Sequence, residues 1–178
     1  MKEKILDAAE RRVRAAGFSE MSFRDLASDV GIKSASVHYH FPTKPDLGEA
    51  LVERYTEKFK DSLDAISTDD LGAALDSFVA LYANALVPGE AICLCAIMGA
   101  EAIGLPGRVN KRTDAFFSMN RAWLETLFLQ HNRDKAADHS AMIVAALEGG
   151  MIVASASFDR HLFDQIARAA VRGVMANS

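Results

Sequence analysis

Cysteine is scarce. Cys93 and Cys95 are the only two in 178 residues, and residues two apart on a helix point to diverging faces, so they do not bridge each other. A disulfide scaffold is excluded, and a reducing, cytoplasmic setting is expected. Proline is also scarce, at four residues. Sustained apolar–polar alternation and β-branched clusters are missing, which leaves little material for strands. No nucleophile motif, phosphate loop or metal-ligand cluster stands out, so neither a metal nor a cofactor is expected, and an enzyme is the weaker reading. His131 and His139 with Asp134 and Asp138 come nearest to a constellation, and they read as a polar helix start. His38 and His40 diverge on a helix and make a poor metal site. The N-terminus, MKEKILDAAERRV, is charged throughout and lacks the apolar core of a signal peptide. The apolar stretches 91–105 and 141–158 carry Glu101 and Glu148 and read as buried helices rather than membrane spans.

What the chain does have is helix-forming material. Half of its residues are hydrophobic and a quarter charged, enough for a sizeable core. A first helix is expected over Lys2–Ala16, with Ile5, Leu6, Ala9, Val13 and Ala16 on one stripe and Gly17 as the stop. Ser22 caps a short second helix, with Asp25 as an imperfect capping box, and Gly31 ends it. A third runs from Lys33 or Ser34 to about His40. Thr43 caps a fourth, whose stripe Leu47, Leu51, Tyr55, Phe59 and Leu63 recurs every four residues. After the polar break Ser67-Thr68-Asp69-Asp70, a candidate boundary, helices are expected over 71–87, 91–103, 108–131, 135–158 and 161–175. The fold class is all-α with about nine helices. A three-helix unit over residues 1–46 precedes a larger helical body over residues 47–178.

The most informative segment is SFRDLASDVGIKSASVHYHFPTKPDL, residues 22–47. Two short helices meet at a turn whose Gly31 accepts positive φ. Leu26, Ala27, Val30, Ile32, Val37 and Phe41 supply a small core. This is the pattern of a helix-turn-helix, whose second helix lies in the major groove of DNA. Lys33, Ser34 and Ala35 open that helix, and Ala35 is small enough to approach bases. His38, Tyr39 and His40 follow, Lys44 starts the next helix and Arg24 sits on the preceding one; all suit phosphate or base contacts. Arg11, Arg12 and Arg14 read as a solvated face.

Residues 4–50 resemble the DNA-binding domain of the TetR family of bacterial transcriptional regulators. The resemblance rests on KILDAAERRVRAAGF, on Ser22-Phe23-Arg24-Asp25-Leu26-Ala27, on the Gly31 turn and on Tyr39-His40-Phe41-Pro42-Thr43-Lys44. It implies Lys33, Ser34, Ala35, His38, Tyr39, His40 and Lys44 as the DNA surface. Ala35 stands where the family often has glycine, and no basic arm precedes the first helix. The resemblance also implies a second domain that binds a small molecule and forms a homodimer. Small residues on the last two helices suit the interface: Ala145, Gly149, Gly150, Ala154, Ala167, Ala170, Val171 and Val174. An apolar or aromatic inducer would meet Phe78, Leu81, Tyr82, Met98, Phe116, Phe117, Met119, Asn120, Trp123, Leu127 and Met142. The expected role is a repressor on an inverted-repeat operator, with double-stranded DNA, a second copy and an inducer as partners and no membrane.

Glu101 and Glu148 are charges inside apolar runs. They either meet a polar ligand group or are held structurally, by Arg121 or a helix end, and the structural reading is preferred. Cys93 and Cys95 suggest an electrophile or redox sensor as the alternative trigger, but no basic residue lies within four positions of either, so inert buried thiols are the default. The formal charge of −4 is unevenly spread. Residues 1–60 carry 11 basic and 10 acidic side chains, a balance of +1, and the remainder carries −5. A nonspecific DNA coat is thereby excluded, while a few well-placed cations are not.

Overall fold

The computed structural model describes residues 1–86 and 91–176. Nine helices and no strand occur among the described residues: α1 (Lys2–Ala16), α2 (Phe23–Val30), α3 (Ser34–His40), α4 (Lys44–Asp64), α5 (Leu71–Ala85), α6 (Leu94–Ala100), α7 (Gly107–Gln130), α8 (Ala136–Ala156) and α9 (Arg160–Ala176). Val87, the expected end of the fifth helix, lies outside the described residues, as does the Pro88-Gly89 punctuation. The sixth helix is the main departure from expectation. Residues 91–93 do not join it, and after Ala100 the chain continues in turns, with Gly104 N–H donating to Glu101 O at 2.8 Å. Lys135 has φ 55° and Phe158 φ 54°, so the expected helix over 135–158 loses both its ends to left-handed residues.

Local signals explain the boundaries. Gly17 (φ 93°) stops α1 and Gly31 (φ 71°, ψ 38°) stops α2 in the left-handed conformation that favours glycine. Ser22 Oγ accepts the Asp25 N–H at 3.2 Å. At α4 the box is reciprocal: Thr43 Oγ1 accepts from Asp46 N–H at 3.3 Å, and Asp46 Oδ2 accepts from Thr43 N–H at 2.8 Å. Asp70 caps α5 by accepting the Ala73 N–H at 2.7 Å.

Close packing divides the chain into two units. The first comprises Met1–Glu57 and Leu94–Ala115. Its core is Ile5, Leu6, Val13, Phe18, Leu26, Val37, Phe41, Leu47 and Leu51, all 3% exposed or less. Each such side chain contributes on the order of 2 kcal/mol by leaving water. Arg54 of α4, 9% exposed, reaches α1 with three bonds, to Glu3 at 3.1 Å, Asp7 at 2.7 Å and Glu10 at 2.9 Å. Arg12, partly exposed on the solvated face of α1, binds Asp29 of α2 through Nε and a terminal nitrogen. Arg108 of α7 pairs with Asp46 at 2.6 Å, and Arg112 with Glu49 at 3.1 Å. At Gly48 the helix passes so close that a methyl group would lie 2.8 Å from two Phe18 ring carbons and 3.1 Å from Val109 Cγ2.

The second unit comprises the described parts of Lys58–Cys93 and Phe116–Ser178. Its centre is aromatic. Phe78 stacks on Trp123 with centroids 5.4 Å apart, Phe59 meets Tyr82 at 5.4 Å and Phe116 at 5.1 Å. α8 packs on α9 where a Cβ at Gly150 would lie 3.2 Å from Ile166. With a mean hydropathy of 1.4, α8 is the one described helix long and apolar enough to cross a membrane by length and composition, and half of that stretch is buried within the protein.

Gly48→Ala is expected to cost about 1–3 kcal/mol of unfolding free energy by overpacking against Phe18 and Val109, read from urea denaturation. Arg54→Ala is expected to cost on the order of 2 kcal/mol in the same assay, because three carboxylates lose their common cation. Lys60→Ala, which removes a surface pair with Asp64, should leave the midpoint unchanged.

Candidate nucleic-acid interface

The helix-turn-helix is built by α2, the Gly31 turn and α3. Gly31 N–H donates to Ser28 O at 3.2 Å and Ile32 N–H to Ala27 O at 2.9 Å, which closes the helix end and sets the reversal. Leu26, Ala27, Val37 and Phe41 are buried beneath it, whereas Val30 and Ile32 are only half-buried. The His38 ring meets Phe23 edge-on at 4.7 Å and so braces α3 against α2.

The outward face of α3 is open. Tyr39 is 84% exposed, with its ring 5.2 Å from that of His40. Arg24, Lys33, Ala35 and His38 are exposed, while Ser34 and His40 are half-buried. Lys44 behaves differently. Its ammonium donates to Ser19 O at 2.8 Å and lies 4.9 Å from the Phe18 ring centroid. Burial lowers its pKa against the opposing pull of Glu101 and Glu20. Lys44 therefore braces the turn after α1.

Glu101 is bound at the same turn. Its carboxylate accepts from Phe18 N–H at 2.8 Å, Ser19 N–H at 2.9 Å and the Ser19 hydroxyl. This is the structural reading of Glu101, with a loop rather than Arg121 as partner; Arg121 donates to Ser118 Oγ at 3.0 Å. Arg108, 65 residues from Thr43, donates to its hydroxyl at 3.1 Å. The Thr43 hydroxyl, then Arg108, hold the Asp46 carboxyl below its ordinary pKa. Sequence reading did not find Arg108 or Arg54, because nothing local marks an arginine whose partners are so distant.

The residues expected around a ligand separate into groups. Phe78, Tyr82, Phe116, Asn120 and Leu127 are buried in the second unit, Leu81, Phe117, Met119 and Trp123 half-buried. Met98 is buried in the first unit, and Met142 is 43% exposed. Phe59, read only as part of the α4 stripe, joins the aromatic cluster. Of the residues expected at a dimer interface, Gly150, Ala154, Ala167 and Val174 are buried within the protomer, while Ala145 is exposed and Gly149, Ala170 and Val171 are half-buried. Cys93 and Cys95 are buried at 1% and 0% exposure, and Cys93 lies beside Glu148. His131 Nε2 donates to Thr68 O at 2.8 Å, and His139 packs on Phe128. No group of three or more potential metal ligands is gathered among the described residues.

Comparison with known proteins follows this division. Residues 5–51 match the family described as bacterial regulatory proteins, tetR family. Comparison with curated protein sequences gives no match. Solved structures align along nearly the whole chain. A TetR transcriptional regulator from Legionella pneumophila shares 26% identity at a TM-score of 0.85, covering 97% of this chain and 96% of that one. A TetR-family regulator from Agrobacterium tumefaciens shares 25% at 0.89, covering 96% and 95%. A regulatory protein TetR from Rhodobacter sphaeroides shares the fold at 18% and 0.87, covering 96% of both chains. The helix-turn-helix of residues 5–51 is therefore that of the tetR family of bacterial regulatory proteins, and the fold along the rest of the chain is the one shared by these TetR-family regulators.

Proposed function

We propose that this regulator is a homodimeric cytoplasmic repressor, without enzymatic activity, that leaves an inverted-repeat operator when a small apolar or aromatic ligand binds. Residues 1–46 contact DNA and residues 47–178 bind the ligand and the second copy. The observation that carries the reading is the open face of α3. Tyr39 is 84% exposed, with Lys33, Ala35 and His38 exposed beside it and a buried core holding the helix from behind. A large aromatic held in water on a seven-residue helix has no packing role, whereas at a phosphate backbone it supplies a hydroxyl donor.

The second copy is supported by α8. Its outward stripe, Met142, Ala145, Gly149, Ile152, Val153 and Ala156, is apolar along some four turns, with Ile152 46% and Val153 49% exposed. Phe158, 77% exposed in a left-handed conformation, extends it. A two-fold pair buries this stripe and presents two α3 helices to half-sites about 34–36 Å apart. Ligand then acts by preferring a conformation in which the two α3 helices no longer match that spacing. The aromatic cluster Phe78, Tyr82, Phe116 and Trp123 supports an apolar or aromatic ligand.

Electrophoretic retardation of promoter DNA upstream of the protein's own gene and its neighbours, with binding sites mapped across the genome, tests the reading. Tyr39→Ala should weaken operator binding about tenfold or more with no change in thermal midpoint. Lys33→Ala should weaken binding on all sequences and reduce the salt slope by about 1 per protomer. Ile152→Glu should give monomers in sedimentation with unaltered helix content.

A further inference from the structure

Phe158 is the one aromatic side chain of the second unit that stands in water among the described residues. It is 77% exposed, in the loop between α8 and α9. Its backbone has φ 54°, a left-handed conformation that a bulky residue seldom takes. The chain continues with Asp159 and Arg160, both exposed. Elsewhere in the same unit an open groove of about 210 Å³ lies between α5 and α9. Val79, Ala167 and Val171 give it an apolar floor, and the exposed Asp76, Arg168 and Arg172 stand at its rim. None of these three charges is paired among the described residues. A knob and a socket, both without a partner, thus occur on one chain. They cannot meet within it, because Val171 lies roughly 16 Å along α9 from the helix start at Arg160.

A two-fold axis can bring together what the chain keeps apart. A Cβ at Gly150 of α8 would lie 3.2 Å from Ile166 and 3.5 Å from Phe163 of α9, and the two helices run in opposite directions from a short loop, so residue 146 stands near the level of Arg168. Ile152 and Val153 are large apolar side chains near the middle of the exposed α8 stripe. Where two α8 helices cross antiparallel at Ile152, Phe158 of the partner subunit lies about 9 Å beyond the crossing, at the level of residue 146 and hence of the groove. We propose that Phe158 of each copy seats in the α5–α9 groove of the other. This deepens the homodimer reading above and rests on it. The ring covers Val79, Ala167 and Val171, and the guanidinium groups of Arg168 and Arg172 meet the ring face and the Asp159 carboxylate. Arg160 supplies the charge opposite to that of Asp76. Loop and groove therefore match in shape and in charge, and two-fold symmetry makes the contact twice.

Sedimentation over a range of concentrations compares the wild type with Phe158→Ala and Phe158→Gly, with helix content followed by circular dichroism. Both variants should raise the dimer dissociation constant at least about tenfold with unaltered helix content. Glycine accepts the left-handed backbone, so a weaker dimer in Phe158→Gly is not a failure to fold. Phe158→Cys combined with Arg172→Cys should give a covalent dimer with a short bismaleimide. Phe158→Cys alone should not, since the native Cys93 and Cys95 are buried. An unchanged dissociation constant in both Phe158 variants, no cross-link in the paired variant, or a cross-link through Phe158→Cys alone, which places the two loops against each other, would each overturn the seating. If such a result comes from a protein that sediments as a dimer and turns monomeric with Ile152→Glu, the homodimer stands and only the seating falls. A wild type that stays monomeric removes both.

Discussion

Between the end of α1 and the start of α2 the backbone leaves helical geometry at Gly17, and the N–H groups of Phe18 and Ser19 find no carbonyl of their own helix. The Glu101 carboxylate takes both. The position of the recognition helix depends on this contact. The Lys44 ammonium binds the Ser19 carbonyl from the other side, and Phe18 fills the space left by Gly48. Hydrogen bonds to a charged acceptor are worth on the order of 1.5–3 kcal/mol each when shielded, and less where water reaches them, as it does at Ser19. A methyl at Gly17 would lie 2.4 Å from the Glu101 carboxylate, so the glycine serves the contact as well as the turn. The segment 94–115 therefore belongs physically to the DNA-binding unit, although it lies far from it in the chain.

Much of the charge in the first unit is paired between helices, buried at Arg54 and near the surface at Arg12, Arg108 and Arg112. Arg12, Arg54, Arg108 and Arg112 all hold carboxylates of neighbouring helices. Arg24 and Lys33 remain exposed on the recognition side. A balance of +1 over residues 1–60 is thus compatible with DNA binding because structural arginines and structural carboxylates cancel each other. In the proposed dimer a second copy would double the cations offered to an operator, and the apolar stripe of α8 is the surface proposed to join the copies.

The second unit contrasts two ways of burying a polar group. Asn120 donates to Phe116 O at 2.8 Å, which satisfies its amide nitrogen, and the His139 ring lies against Phe128. Glu148 lies beside the Cys93 thiol, and burial drives its carboxyl well above the ordinary carboxylate range.

Much was legible from local pattern. The short helices α1 to α3 follow from the Ile5–Val13 stripe, the Ser22 cap and the Gly31 turn, all of which act within a few residues. The outward face of α3 was legible for the same reason: once Val37 and Phe41 face the core, Tyr39 must face away. What only the tertiary structure decided involves partners far apart in the chain. Lys44 reads as a DNA contact in sequence and folds back onto Ser19. Glu101 reads as an anomaly and holds the turn after α1. Gly150 and Ala154 read with Gly149 as one small-residue stripe, yet they lie buried in the protomer while Gly149 retains access to solvent. Helical periodicity states which residues share a face. It does not state which neighbour that face meets, because burial and charge pairing are properties of the packed chain.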